Sequence, residues 1–297
     1  MIENKLQSTI LKTIAHIFLI IVALACLCPF LIIISASITS EDALVAHGYG
    51  LLPKDIDFAA YKMIAQNSKD MINAYLVTIG TTAVGCVGSL LMIIMAAFPL
   101  SRVDYKWRTG LNFYFYFTML FSGGLVSSYI INTQVLGLAN NILVLIWPMM
   151  FGVYNMFLMR TYFKAIPAAM WEAAEIDGAG QFKILFTIVV PMSVTGIASI
   201  LLFVMLAYWN EWSLCMLYMT SSDISTLQYY LQNVMSQVAD LQARVKAGMA
   251  SAAEIQNLPS ESARMAICVL AAGPMVFVFT FFQRFFTKGL NLGSVKG

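Results

Sequence analysis

The chain has 297 residues, of which 60% are hydrophobic and only 11% charged, and its formal net charge is +2. Soluble domains carry about a quarter charged residues, so this composition excludes an ordinary soluble protein, and so small a net charge gives nucleic acid little to hold. Five cysteines, at positions 26, 28, 86, 215 and 268, all fall in or beside apolar runs. They read as small buried hydrophobes rather than a disulfide framework or a zinc site.

In chain order, six apolar stretches are long enough to cross a bilayer, which takes roughly 20 residues: 13–37, 72–100, 109–131, 140–163, 184–212 and 265–286. Backbone groups find no partner in lipid, so each is predicted to be helical. The first follows a short N-terminal stretch, 1–12, and no small-residue cleavage site follows it, so it reads as a retained span. His16, near its start, is explained by a backbone partner or by reaching the interface. Residues 13–71 thus comprise the first span and an outer loop. The second span contains "GTTAVGCVGS", in which Gly85, Gly88 and Ser89 offer a smooth face for packing within the subunit. Pro29, Pro148 and Pro274 fall inside spans as candidate kinks. Residues 72–286 form a core of five spans with connecting loops at about 164–183 and about 213–264, and 287–297 is a short polar tail.

Placing the N-terminus inside puts eleven of the 17 lysines and arginines on the inner side and six on the outer side. The positive-inside rule then predicts that both termini and the 164–183 loop are cytoplasmic. Trp107, Tyr162 and Trp171 read as inner-interface anchors. Between 227 and 245, Leu227, Tyr230, Leu231, Val234, Met235, Val238, Leu241 and Val245 recur at helical spacing, predicting an amphipathic outer helix. Such a helix suits resting on the bilayer, capping a channel or meeting another protein.

Motifs for catalysis are missing. His16 and His47 are the only histidines, and there is no HExxH pair, no GxSxG elbow and no GxxxxGK[ST] phosphate loop. The chain is therefore predicted to be non-catalytic, with no metal and no cofactor of its own. An ion-coupled secondary carrier, the alternative function, needs carboxylates at mid-membrane. Glu211 lies only near the end of the fifth span.

The most informative stretch is "MWEAAEIDGAGQFKILFTIVVP", Met170 to Pro191, which places Glu172, Glu175 and Asp177 within six residues between two spans. Pro167 is suited to the first position of a helix, residues 168–177 are mostly good helix formers, and Gly178 suits the left-handed conformation that ends one. Glu172 and Glu175 lie one turn apart and share a face. Met170, Ala173 and Ala174 leave a smooth side. The prediction is a short helix that docks onto another protein, with a solvated turn as the competing explanation.

This stretch also resembles a known signature. It matches the pattern EAA-x3-G-x9-I-x-x-P of importer-type ABC permeases at Glu172, Ala173, Ala174, Gly178, Ile188 and Pro191, with Val190 where that family commonly has leucine. The C-terminal "QRFFTKGLNLGSVKG", the "WNEW" and the "TLQYYLQ" resemble carbohydrate permeases related to the smaller channel subunit of the maltose system. The resemblance implies an all-α integral membrane protein of six transmembrane helices, a type I ABC importer transmembrane domain in a bacterial cytoplasmic membrane. It implies four partners: a second homologous permease, two cytosolic ATPases that bind ATP and magnesium, and an extracytoplasmic sugar-binding protein. It makes the EAA segment, with Glu175 and Asp177 beside the signature residues, a coupling helix seated in a groove of an ATPase, and it sends the 287–297 tail to the ATPase pair.

The long outer segment before the sixth span looks like the branch handling oligosaccharides from plant or algal polysaccharides and glycans. Aromatic faces and amide or carboxylate groups suit sugars, so Tyr208, Trp209, Asn210, Glu211 and Trp212 are candidates for the substrate path. Asn112, Tyr114, Tyr116, Tyr154 and Asn155 are weaker ones, and Gln232 and Asn233 are candidate contacts for the binding protein.

Overall fold

The computed structural model describes residues 2–66, 68–220, 224–248 and 261–293. Residues 221–223 and 249–260 of the expected outer segment, and 294–297 of the expected tail, lie outside the described residues. Regular structure among the described residues is helical, apart from an isolated bridge between Thr39 and Ile56.

Three helices are long and apolar enough to cross a membrane unaided. They are α1 (Ile2–Ser37), α4 (Ser68–Ser101) and α14 (Glu261–Gly293). The other three spans, expected as continuous helices over 109–131, 140–163 and 184–212, are bent pairs, which brings the set to the expected six. Each break has a local cause. In the third span α5 (Arg108–Leu120) stops before Gly123 and Gly124, the latter with φ of 81°, and α6 (Gly124–Ile130) leaves at 108°. Glycine takes that conformation at no steric cost. In the fourth, Pro148 sits in a 3-10 turn before α7 (Val153–Lys164), and the bend is 48°. In the fifth, α9 (Gln181–Ile184) runs through a π-turn at Leu185–Val189 into α10 (Val190–Met192), which carries Pro191, and α11 (Val194–Trp209) turns away by 84°. Proline cannot donate to the preceding turn, which loosens the ladder there. Pro29, Pro99 and Pro274 lie within unbroken helices.

The chain divides into two compact units, residues 1–68 with 231–273 and residues 69–230 with 274–297. In the first unit, α2 (Glu41–His47) and α3 (Ala59–Gln66) follow α1. The Glu41 carboxylate accepts the backbone N–H groups of Glu261 and Ser262 at 3.0 and 3.1 Å, satisfying the free donors at the start of α14. The His16 ring meets the Lys12 carbonyl at 2.6 Å, the backbone pairing that was one of its two expected explanations. Large apolar side chains along α1 are exposed, and so is Cys26, while Cys28 and Cys268 are half-buried; of the five cysteines expected to be buried, Cys86 and Cys215 are.

The second unit holds the main core, built by α4, α5, α7 and α11 around Ile93, Met156, Met159, Phe163, Leu185 and Ile200. Gly85 and Gly88 do pack within the subunit. A Cβ on Gly85 would lie 2.4 Å from the Tyr208 ring, and one on Gly88 would lie 3.1 Å from Met150. Tyr208 has little room to yield, because its hydroxyl donates to the Ile146 carbonyl at 2.8 Å. Gly85→Val should therefore destabilise the fold by about 1–3 kcal/mol, the usual cost of overpacking. Thermal unfolding in detergent would register this as a lower midpoint. Gly80→Val, which meets open space, should barely move it.

Candidate functional site

Pro167, extended at ψ of 132°, stands just ahead of α8 (Ala168–Ile176) rather than in its first turn. The helix closes as its sequence suggests. The Ala179 N–H reaches the Ala174 carbonyl at 2.9 Å and the Gly178 N–H reaches that of Glu175 at 3.0 Å, with Gly178 at φ of 77°. This pair of bonds is a Schellman closure, which uses up carbonyls that the helix end leaves free.

One side of α8 is seated. Trp171 is buried and Ala174 and Ala179 pack against the main core. Trp171 is thus a core residue and not an interface anchor, and Tyr162, the second expected anchor, packs against Gly196. Trp107, the third, is exposed. The opposite side of α8 is free, with Met170, Glu172, Ala173, Ile176 and Asp177 all exposed. Ile176 is 86% exposed.

Glu172 and Glu175, expected to share a face, are used differently. Glu172 points to solvent, whereas Glu175 turns back into the chain. There its Oε1 accepts Nη2 of Arg102 at 2.6 Å and Nε2 of Gln181 at 2.8 Å. Arg102 follows the last residue of α4 and is 7% exposed. Its Nε and Nη2 also donate to the two oxygens of Asp104 at 3.0 and 3.1 Å. Its guanidinium carbon lies 5.5 Å from the centre of the Trp171 ring. The hydrogen bond from Gln181, then that from Arg102, hold the Glu175 carboxyl below its usual range, and Arg102 does the same to Asp104. The bonds to Asp104 raise the Arg102 pKa further still, so this group keeps its charge. In the sequence Arg102 reads only as one of the eleven inner lysines and arginines. A lone arginine ending a long apolar helix, two residues before an aspartate, was the signal available.

Arg102 forms a wall of two clefts. One, of about 500 Å3, lies against Phe98, Trp107, Phe182 and Leu185. The other, of about 870 Å3, is lined by Arg108, Lys164, Trp171, Glu172 and Glu175 among others. Ile188 and Pro191, at the far end of the signature, are not on α8 but in the first limb of the broken fifth span.

The candidate path residues scatter. Tyr208 and Trp209 are core residues, Tyr208 only 2% exposed with its hydroxyl engaged, so they present no face to a ligand. The Glu211 carboxylate is taken by Ser213 Oγ and the Leu214 N–H, both at 2.7 Å, at the start of α12 (Ser213–Tyr218). Asn210 and Trp212 stay accessible. Tyr114, Tyr116 and Tyr154 are exposed, Asn155 is half-buried, and Asn112 donates to the Arg108 carbonyl. The expected amphipathic helix is α13 (Leu227–Lys246), with Val238 buried, Gln232 exposed and Asn233 half-buried. No cluster of metal-ligating side chains occurs among the described residues.

Six apolar spans with a short helix held out between the fourth and fifth define the membrane subunit of a transport system. The chain belongs to the family described as the binding-protein-dependent transport system inner membrane component, which residues 88–292 match. It is therefore a permease of the ABC class, as the EAA signature implied. It is 33% identical over 281 residues to the polygalacturonan/rhamnogalacturonan transport system permease protein YtcP of Bacillus subtilis, covering 94% of this chain and 96% of that one. It is 32% identical over 269 residues to protein LplC of the same organism, covering 91% and 89%. Among solved structures it resembles a bacterial ABC transporter involved in the import of the acidic polysaccharide alginate. That match has a TM-score of 0.79 and 32% identity, and covers 94% of this chain and 97% of that one.

Proposed function

We propose that the chain is one channel-forming subunit of an ATP-driven importer of oligosaccharides. It works beside a second homologous permease, two cytosolic ATPases that hold the ATP and magnesium, and an extracytoplasmic binding protein that delivers the sugar. The observation that carries this reading is α8, a helix seated in the permease core through Trp171 while Met170, Glu172, Ala173 and Ile176 face outward. Apolar contacts beside the exposed carboxylates of Glu172 and Asp177 suit a groove with a matching cation, and charge-assisted hydrogen bonds are stronger than neutral ones. Movement of the ATPases then reaches the spans through α8, and the channel alternates between two states favoured by different partner contacts.

Both termini and α8 lie on the cytoplasmic side in this account. An alkaline phosphatase fusion after Lys183 should be inactive and one after Ser222 active; the opposite pattern would overturn the orientation and the docking of α8 with it.

The substrates named for the relatives, polygalacturonan or rhamnogalacturonan in one and alginate in another, support acidic oligosaccharides from plant or algal polysaccharides. Of the candidates around the end of the fifth span, Asn210 and Trp212 keep access, as do Tyr114, Tyr116 and Tyr154 elsewhere. In vesicles carrying the whole transporter, uptake of short oligogalacturonides should require ATP and survive collapse of the proton and sodium gradients. Uptake abolished by that collapse would point to an ion-coupled carrier instead.

A further inference from the structure

We propose that Arg102 is the positioning residue that carries movement of α8 into α4, and that Asp104 keeps its guanidinium in place so that the link to Glu175 can open and close again. The proposal rests on the reading of α8 as the helix that docks the ATPase.

Arg102 is the one charged side chain found buried among the described residues. Its backbone N–H bonds to the Pro99 carbonyl at 3.2 Å, so it moves with the end of α4. Its side chain reaches 73 residues along the sequence to Glu175, near the end of α8, and lies over Trp171 of the same helix. Gln181 joins Glu175 to the start of the fifth span. One guanidinium thus ties the ends of two spans to the helix between the fourth and the fifth.

A permanent brace would be better served by apolar packing, because the desolvation of a buried charge such as Arg102 often offsets its attraction to a partner. What an ion pair adds is a contact with two discrete states. A buried cation that lost its one partner would be strongly disfavoured, and such a link would not open. Here Asp104 prevents that. It sits two residues from Arg102, so it travels with α4 and not with α8, and it binds both Nε and Nη2. When α8 shifts, Glu175 can leave while Asp104 still neutralises and orients the guanidinium. Asp104 itself is 70% exposed, so it remains hydrated in either state.

The test uses the complete transporter in proteoliposomes with its binding protein. It reads three quantities: the ATPase retained on purification, the stimulation of ATP hydrolysis by binding protein, and the uptake of short oligogalacturonides per ATP. Glu175→Gln should retain the ATPase while stimulation and uptake per ATP fall roughly five- to tenfold, within the range that single contacts contribute to coupling. Arg102→Lys, which keeps the charge but loses the fork, should fall less than Arg102→Ala. Unchanged stimulation and uptake in Glu175→Gln would reduce Arg102 to a brace and overturn the proposal. Loss of the ATPase from Glu175→Gln would also overturn it, by making Glu175 a docking carboxylate. If Glu175→Gln does not reach the membrane, Asp104→Asn decides, since it alters an exposed side chain: a similar fall supports the exchange, and wild-type coupling rejects it. The docking reading is tested separately by Glu172→Lys. If that variant transports normally, α8 does not dock the ATPase, and this proposal fails with it.

Discussion

Glu172→Lys should leave the permease at normal levels in the membrane and strip the ATPase from it. The side chain is exposed on the free side of α8 and makes no contact that the fold needs, so insertion and packing should not change. Its expected partner is a cation in the ATPase groove, and reversing one member of a charged pair buried at an interface typically costs about 2–5 kcal/mol. That would lower docking more than tenfold, since 1.4 kcal/mol is about a factor of ten. Copurification of the ATPase with tagged permease, together with uptake, would measure it. A lysine- or arginine-to-glutamate change in the ATPase groove should restore function to Glu172→Lys.

Gly178→Val should also abolish coupling, by a route no change in the ATPase can repair. At φ of 77°, Gly178 has open space around it, so no collision would be introduced. The cost is in the backbone, where a β-branched residue in the left-handed region is a genuine outlier. The strain is of order 1–3 kcal/mol, and it falls on the two bonds that close α8. If the chain relaxes by opening them, α8 unwinds at the end that carries Glu175 and Ile176. Uptake should fall about tenfold or more at normal membrane levels, and the groove variant that rescues Glu172→Lys should not rescue it. Gly178→Asn, which tolerates this conformation better, should retain more activity.

Much of this site was legible in the sequence because its determinants are local. Proline before α8, good helix formers within it and glycine after it mark a helix of the length observed. The closure at Gly178 needs no distant partner. The Arg102–Glu175 tie was not legible, since it joins residues 73 positions apart and either one alone reads as a solvated charge. For the same reason Tyr208 reads in the sequence as a substrate-path residue. Its burial depends on Gly85, in a different span, which leaves room for the ring. Hydropathy found six spans but not the three breaks, because an apolar run looks the same straight or bent. Gly123–Gly124 and Pro191 were visible, but bends of 108° and 84° also depend on what the freed backbone groups find to bond with. The end of α14 departs from the sequence expectation: the helix continues to Gly293, through part of the 287–297 stretch that reads as a polar tail.

The free side of α8 is expected to meet the ATPase. Placing a photo-crosslinking amino acid at Ala173, which is exposed and between the two glutamates, tests it most directly. In the assembled transporter, irradiation should join the permease to the ATPase in high yield, while the same group at the exposed Val103 beside Arg102 should give much less. Absence of a crosslink from Ala173 in a transporter that still imports sugar would contradict the account and leave α8 a solvated turn.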